Sequence, residues 1–336
     1  MAMSGVAARY PWLVADVGGS NARFGWVTGP ASGVQARRSY VVQDFPSLEA
    51  AARRYLQDLA DEARARGERF DPPRQAAVAV ATAVAGDEVV LTNSHWRFSR
   101  QALQAALQVQ GLLVLNDFEA LALSLPGLQA GQLRAWGACP LPPAGCLAVI
   151  GPGTGLGVAA VVQTARGWLA LPGEGGHATL APADDFESAV LSHVRGAFSH
   201  VSAERLLSGI GLPTLHEAVA VAMGLGVPAE ALAPEQIVER GLQGRDAVCE
   251  RTLDSFCAML GGFAGSVALT LGARGGVYVG GGIVPRLGDY FFHSRFRERF
   301  EAKGRFAPYL AGIPTALITD TQAALGGVAL AIEQSF

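Results

Sequence analysis

Trp12-Leu13-Val14-Ala15-Asp16-Val17-Gly18-Gly19-Ser20-Asn21-Ala22-Arg23-Phe24-Gly25-Trp26-Val27 is the stretch on which the fold turns. A mostly apolar run from Trp12 to Val17 stops at Gly18-Gly19-Ser20-Asn21, and a second run goes from Phe24 to Val27. Two strands around a Gly-rich turn predict a β-hairpin. The turn has two readings. Gly-Gly and Ser-Asn are common in ordinary hairpin turns. Glycines also let backbone N–H groups close around a phosphate, and Asp16, at the end of the first strand, can hold Mg²⁺ directly or through water.

The pattern returns later in the chain. Leu147 to Ile150 reads as a strand, Gly151-Pro152-Gly153-Thr154-Gly155 as a turn, and Val158 to Val162 as a second strand. The loop lacks the lysine of a Walker A sequence. β-Branched residues follow it, where a dinucleotide-binding fingerprint needs a helix. Two such loops, each opening an α/β half, predict a duplicated fold able to grip one polyphosphate from two sides. A third glycine site, Gly280-Gly281-Gly282, ends the strand Val277 to Val279. It is either a strand-to-helix turn or a floor for a flat purine, since ligands of α/β sheets gather at strand C-termini.

Between these landmarks the periodicity predicts further elements. A third strand fits Tyr40 to Val42. A helix runs from Leu48 to Ala65 with Ser47 as its N-cap, and a helix follows the cap Ser99. Strands fit Ala76 to Val84, Val89 to Leu91, Leu112 to Leu115 and Pro314 to Ile318. Helices fit 186–196, 203–208, 213–223, 246–271 and Gln322 to Ile332. Asn116-Asp117 lies between a buried strand and the apolar helix Phe118 to Leu125. Asp117 is either the N-cap of that helix or a carboxylate placed to take a proton from a substrate hydroxyl. In Pro172-Gly173-Glu174-Gly175-Gly176-His177, a Glu and a His three residues apart suit recognition of neighbouring hydroxyls. Read as metal ligands, the two make an incomplete zinc set.

Composition narrows the function classes. The 336 residues are half hydrophobic, with 42 glycines and a net charge of −3. That is enough apolar material for two cores, and no basic field invites a nucleic acid. No apolar run approaches the roughly 18 residues of a membrane span, and no signal peptide is read. Cys139, Cys146, Cys249 and Cys257 form no C-x-x-C pair and read as reduced, mostly buried thiols. His193, His200, His216 and His293 read as surface or satisfied interior residues. The expectation is a cytoplasmic protein.

These motifs together resemble the ATP-dependent glucokinases of proteobacterial type, within the sugar kinase, heat-shock ATPase and actin superfamily. The resemblance rests on Leu13 to Arg23, Leu91-Thr92-Asn93-Ser94-His95-Trp96, Leu115-Asn116-Asp117-Phe118, Ile150 to Gly157, Pro172 to His177, Leu207-Ser208-Gly209, Gly280 to Pro285 and Ile313 to Leu325, in order over nearly the whole chain. It implies two ribonuclease H-like, actin-like ATPase α/β domains with a central cleft. A small domain would span 1–115, rejoined by a C-terminal helix at about 321–336, and a large one 116–320. It implies ATP, Mg²⁺ and glucose as ligands, and a homodimer. Asp117 matches the general base. Asn93, Asn116, Glu174, His177 and Glu204 match the sugar-binding residues, with the loop from Thr82 to Gly86 beside Asn93. Asp16, Gly18, Gly19, Ser20 and Asn21, with Gly153 and Thr154, match the two phosphate loops, Asp16 also serving the metal. Gly280, Gly281 and Gly282 match the adenosine site. Ser20 stands where Thr is more usual, and both carry a hydroxyl. The Cys-rich zinc motif of another glucokinase and repressor branch is not present. Two rival readings stay open. One is a kinase for another hexose or an amino sugar, and the other is a non-catalytic sugar sensor on the same fold.

Overall fold

The computed structural model describes residues 10–336 apart from Ala83, Pro140 and Pro142. The chain divides into two compact units. The first holds the described residues up to Leu128, with Thr164–Ala170 and Asp320–Phe336; the second holds Gln129–Gln163 and Leu171–Thr319. The sequence expectation drew the boundary after residue 115. The first unit runs further because the helix that follows residue 116 packs under the chain's last helix.

In the first unit β1 (Trp12–Val17), β2 (Asn21–Val27), β3 (Gln35–Val41), β4 (Gln75–Val80) and β7 (Gly111–Asn116) form one sheet in the order β3-β2-β1-β4-β7. β5 (Glu88–Val90) and β6 (Arg97–Ser99) make a separate ribbon. β1 and β2 are the antiparallel hairpin read from the sequence, while β4 and β7 lie parallel to β1. Every residue of β1 and of β4 is buried, as expected of strands covered on both faces. Helix α1 (Leu48–Ala65) starts at Ser47, whose hydroxyl accepts from the Ala50 N–H. It buries Leu48, Ala51, Ala52, Tyr55, Leu59 and Ala63, a stripe at helical spacing. Tyr55 stacks on Phe24 with ring centroids 5.3 Å apart. Helix α2 (Arg100–Leu107) is capped by Ser99 in the same way.

Helix α3 (Asp117–Ser124) follows β7 directly and is packed by the C-terminal helix Ala323–Ser335. The closeness of that packing depends on Gly327. A Cβ there would run into the carbonyl oxygen of Ala120 in the middle of α3, so only glycine lets the two backbones approach.

A second sheet has the order β11-β10-β9-β12-β13-β8, from β8 (Leu133–Ala135), β9 (Cys146–Pro152), β10 (Leu156–Thr164), β11 (Gly167–Gly173), β12 (Gly276–Val279) and β13 (Thr315–Ile318). Its run β11-β10-β9-β12-β13 repeats the order β3-β2-β1-β4-β7. Again the first hairpin strand is antiparallel to its partner and parallel to the next strand across. Four longer helices serve this unit: α4 (Asp185–Arg195), α5 (Leu212–Ala222), α6 (Pro234–Leu242) and α7 (Ala247–Leu271). By length and composition α7 is apolar enough to cross a bilayer, against the sequence expectation, but 72% of its apolar window is buried inside the structure. It is a core helix, and its charges Glu250, Arg251 and Asp254 all fall near its start.

Several boundaries differ from the sequence reading. β4 ends at Val80 rather than Val84, because the Thr82 N–H turns back onto the Val80 carbonyl at 2.8 Å; Ala83, inside the predicted strand, lies outside the described residues. Residues 203–208 form turns, not a helix. There the hydroxyls of Ser202 and Ser208 take backbone N–H groups of Arg205 and Gly211, the competition that disfavours Ser inside helices. β6, β8, β11 and α6 were not read from the sequence; each is short or lies in a Gly- and Pro-rich context.

Candidate active site

In the first unit the parallel strands end in register. Val17 pairs with Val80, and Val80 with Asn116. The sheet therefore brings the Gly18–Asn21 turn, the loop after Val80 and the start of α3 side by side at its C-terminal edge, the edge where α/β sheets take ligands.

Asp16 is buried on β1, and its Oδ2 accepts from Arg23 Nη1 at 3.0 Å. Arg23 is its direct cross-strand partner in the hairpin. The sequence reading gave Arg23 no role, although the hairpin register sets the opposite charges face to face. Burial pushes the Asp16 carboxyl above its ordinary range, and Arg23 opposes that shift. Next along, the Gly18 N–H donates to the Asn21 carbonyl at 2.9 Å, and the Ser20 carbonyl accepts from the Val42 N–H at 2.9 Å. Gly19 lies against Asn93: a Cβ on Gly19 would stand 2.7 Å from the Asn93 carbonyl oxygen. The predicted phosphate turn and the predicted sugar residue Asn93 are thus neighbours, and Asn93 is exposed.

Asn116, not Asp117, is the N-cap of α3. Its Oδ1 accepts from the N–H groups of Phe118 and Glu119 at 2.9 and 3.4 Å, and its Nδ2 donates to the Thr82 carbonyl at 3.3 Å. Capping by Asn116 leaves Asp117 as the first helical residue. Its Oδ1 accepts from the Phe118 N–H at 2.9 Å, and the residue is partly exposed. Its carboxyl is pushed up to about 6, first by burial and then by the negative charge of Asp16. The two carboxyls are thus coupled, each raised first by burial. Asp16 keeps Oδ1 free as a hard oxygen ligand of the kind Mg²⁺ prefers.

The second unit gathers the remaining predicted residues. Glu204 is their hub. Its Oε2 accepts from the Leu156 N–H at 2.9 Å, at the end of the glycine turn, and its own N–H donates to the Gly176 carbonyl at 2.9 Å. Its Oε1 is 3.9 Å from His177 Nδ1. Glu174 and His177 are exposed, and the His177 N–H closes a 3₁₀ turn onto the Glu174 carbonyl at 3.0 Å. Thr154 is exposed, and the carbonyls of Gly153 and Thr154 accept from Gly209 and Ile210 at 2.7 and 3.3 Å. The third glycine site joins the same hairpin, since Gly280 and Ile283 donate to the Ile150 and Pro152 carbonyls at 2.8 and 3.1 Å. Gly281 has φ +79°, and a Cβ on it would press into the Pro152 carbonyl. Exposed Gly281 and Gly282 beside exposed Thr154 present bare backbone to a ligand. The structure thus gathers two groups, each within its own unit: Asp16, Gly18–Asn21, Asn93, Asn116 and Asp117 in one, and Gly153, Thr154, Glu174, His177, Glu204 and Gly280–Gly282 in the other.

A family model described as Glucokinase matches residues 13–335. The chain is 48% identical to a glucokinase of Chromobacterium violaceum over 327 residues, covering 97% of this chain and 90% of the relative. It is 44% identical to a glucokinase of Helicobacter pylori strain J99, covering 96% of each. Among solved structures, the glucokinase of an Antarctic psychrotroph superposes with a TM-score of 0.86 at 36% identity, covering 97% of this chain and 99% of that one.

Proposed function

The chain belongs to the glucokinase family and is an ATP-dependent kinase of glucose, and we propose that Asp117 is the base that deprotonates the sugar's 6-hydroxyl as that oxygen attacks the terminal phosphoryl group. The products are glucose 6-phosphate and ADP. The observation that carries the reading is the partly exposed carboxyl of Asp117 at the C-terminal edge of the first sheet, beside the glycine turn, pushed up to about 6. A base of that strength is ionised at neutral pH yet strong enough to accept a proton, and such positioned bases contribute ~10²–10⁴-fold.

The other residues position the reactants. Glu174, His177 and Glu204 accept and donate to neighbouring sugar hydroxyls, while Asn93 and the remaining amide N–H of Asn116 bind on the base's side. Backbone N–H groups of Gly18–Asn21 and of Gly153–Thr154 hold the polyphosphate, and Gly280–Gly282 floor the adenosine. Mg²⁺, when bound at Asp16, supplies neutralisation of phosphate charge. Phosphoryl transfer has a loose transition state, so positioning and charge compensation carry most of the catalysis. In this reading the two units are the actin-like ATPase domains implied by the resemblance, and exclusion of water from the reacting groups keeps it from competing as nucleophile. The reading extends to a cytoplasmic homodimer, which light scattering of the purified chain checks.

The test is Asp117→Asn assayed across a panel of sugars by coupled ATP consumption. Glucose affinity should stay within a few-fold while turnover nearly disappears. A variant with normal turnover removes Asp117 from the mechanism. Preference of the wild-type enzyme for fructose or an amino sugar reassigns the substrate.

A further inference from the structure

We propose that His216, Asp246 and Cys249 form a zinc site in the second unit, apart from every residue assigned to the reaction. His216 lies on α5, Asp246 is the N-cap of α7, and Cys249 sits in the first turn of α7. One ligand atom from each lies within 4.8 Å of the other two, a separation that small side-chain movements bring to tetrahedral coordination.

The burial pattern points the same way. Cys249 is fully buried and His216 only 5% exposed. His216 Nε2 is buried with no hydrogen-bond partner among the described residues, against the expectation that this histidine is satisfied. Buried polar atoms are ordinarily paired, because leaving one unpaired carries its whole desolvation cost. The thiol of Cys249 bonding to the Asp246 carboxylate accounts for those two groups and leaves the imidazole unexplained. An ion accounts for all three.

The donor set selects the ion. Thiolate, imidazole and carboxylate together suit Zn²⁺, whereas Mg²⁺ and Ca²⁺ take all-oxygen sets. Asp246 is held ready, since its Oδ1 accepts from the N–H groups of Val248 and Cys249 at 2.9 and 3.1 Å, leaving Oδ2 to coordinate. Binding replaces the Cys249 proton, which is released to solvent. Thiolate and carboxylate then cancel the ion's two charges, against the opposing field that Arg240 sets on this cluster. Asp246 is partly exposed, so a water completes the shell from that side. The role is structural. The ion would tie the start of α7 to α5, the helix that begins where the Glu204–Gly211 turn ends.

Cobalt titration of the chelator-treated full-length protein tests this. One equivalent of Co²⁺ should give a thiolate-to-cobalt charge-transfer band with the visible bands of a four-coordinate ion, and Zn²⁺ should displace both. Cys249→Ala should lose the thiolate band, and Cys146→Ser should keep it. Asp246→Asn preserves the helix cap and with it the fold, and should weaken Zn²⁺ binding about tenfold or more. Absence of the band in the wild-type chain, its survival in Cys249→Ala, or equal Zn²⁺ affinity in Asp246→Asn each overturns the site.

Discussion

The carboxyl of Asp117 is raised in part by the charge of Asp16, although the two are a hundred residues apart in the chain. The pairing follows from the register of three parallel strands, which end together at Val17, Val80 and Asn116. It has a cost in stability. A carboxyl held near 6 in the folded state and near its ordinary ~3.9 when unfolded binds its proton more tightly when folded. Its favourable contribution is full below pH ~4 and is lost as pH rises through 6, which amounts to about 3 kcal/mol by pH 7. Asp117→Asn should therefore be more stable than wild type at pH 7.5, by up to about 3 kcal/mol. That gap should close as pH falls towards 4. Denaturant unfolding of both proteins across this range measures it; equal stability at pH 7.5 would contradict the electrostatic account.

If the same carboxyl is the base, as proposed, it sets the pH dependence of turnover. Below about 6 the base is protonated, so kcat/KM for glucose should fall about tenfold per pH unit and level off above neutrality. Steady-state rates at saturating ATP give the profile. A flat profile between pH 5 and 7 would exclude Asp117 as the titrating base.

Glu204 joins the glycine turn to the Glu174–His177 loop, and two variants separate its duties. Glu204→Gln keeps an acceptor for the Leu156 N–H and removes the charge, so the glucose KM should rise about tenfold or more with the ATP KM nearly unchanged. Glu204→Ala also strands that N–H, at about 1–3 kcal/mol, and should raise both KM values. Equal effects of the two variants would show that charge alone matters.

Gly281 should tolerate no side chain. Gly281→Ala meets both the left-handed backbone at φ +79° and the Pro152 carbonyl. The predicted result is an ATP KM raised about tenfold and a stability loss of about 1–3 kcal/mol, with glucose binding kept. Calorimetric titration with a non-hydrolysable ATP analogue reads the nucleotide side separately.

Gly327→Val should force the C-terminal helix off Ala120. Overpacking of this kind costs about 1–3 kcal/mol, and because Asp117 opens the helix that is displaced, kcat should fall as well. A variant with wild-type kcat and an unchanged unfolding midpoint would refute the close packing.

Much of this was legible in the sequence because it depends on local backbone needs. Both glycine-turned hairpins, the caps Ser47 and Ser99, and the strand leading to Asn116 are dictated by neighbours in the chain. The N-cap of α3 is Asn116, where the sequence offered Asp117 as one of two readings, since Asn and Asp are nearly equivalent caps and only the position of the first helical turn decides between them. The Asp16–Arg23 pair was readable in principle, once the hairpin register is counted across the turn. The hub role of Glu204 was not, because its partners Leu156 and Gly176 lie 48 and 28 residues away and are reached through backbone atoms that carry no sequence signal. The cluster at His216 was hidden for the same reason. Its three residues span two helices with a third between them.

The first unit is completed by a helix that follows every described strand, since Ala323–Ser335 packs on the helix that Asp117 opens. The helix that starts at Asp117 therefore draws its support from a segment synthesised after every described strand of both sheets. Chains that stop before Ala323 should lack that support and turn over no glucose, whatever their second unit has achieved.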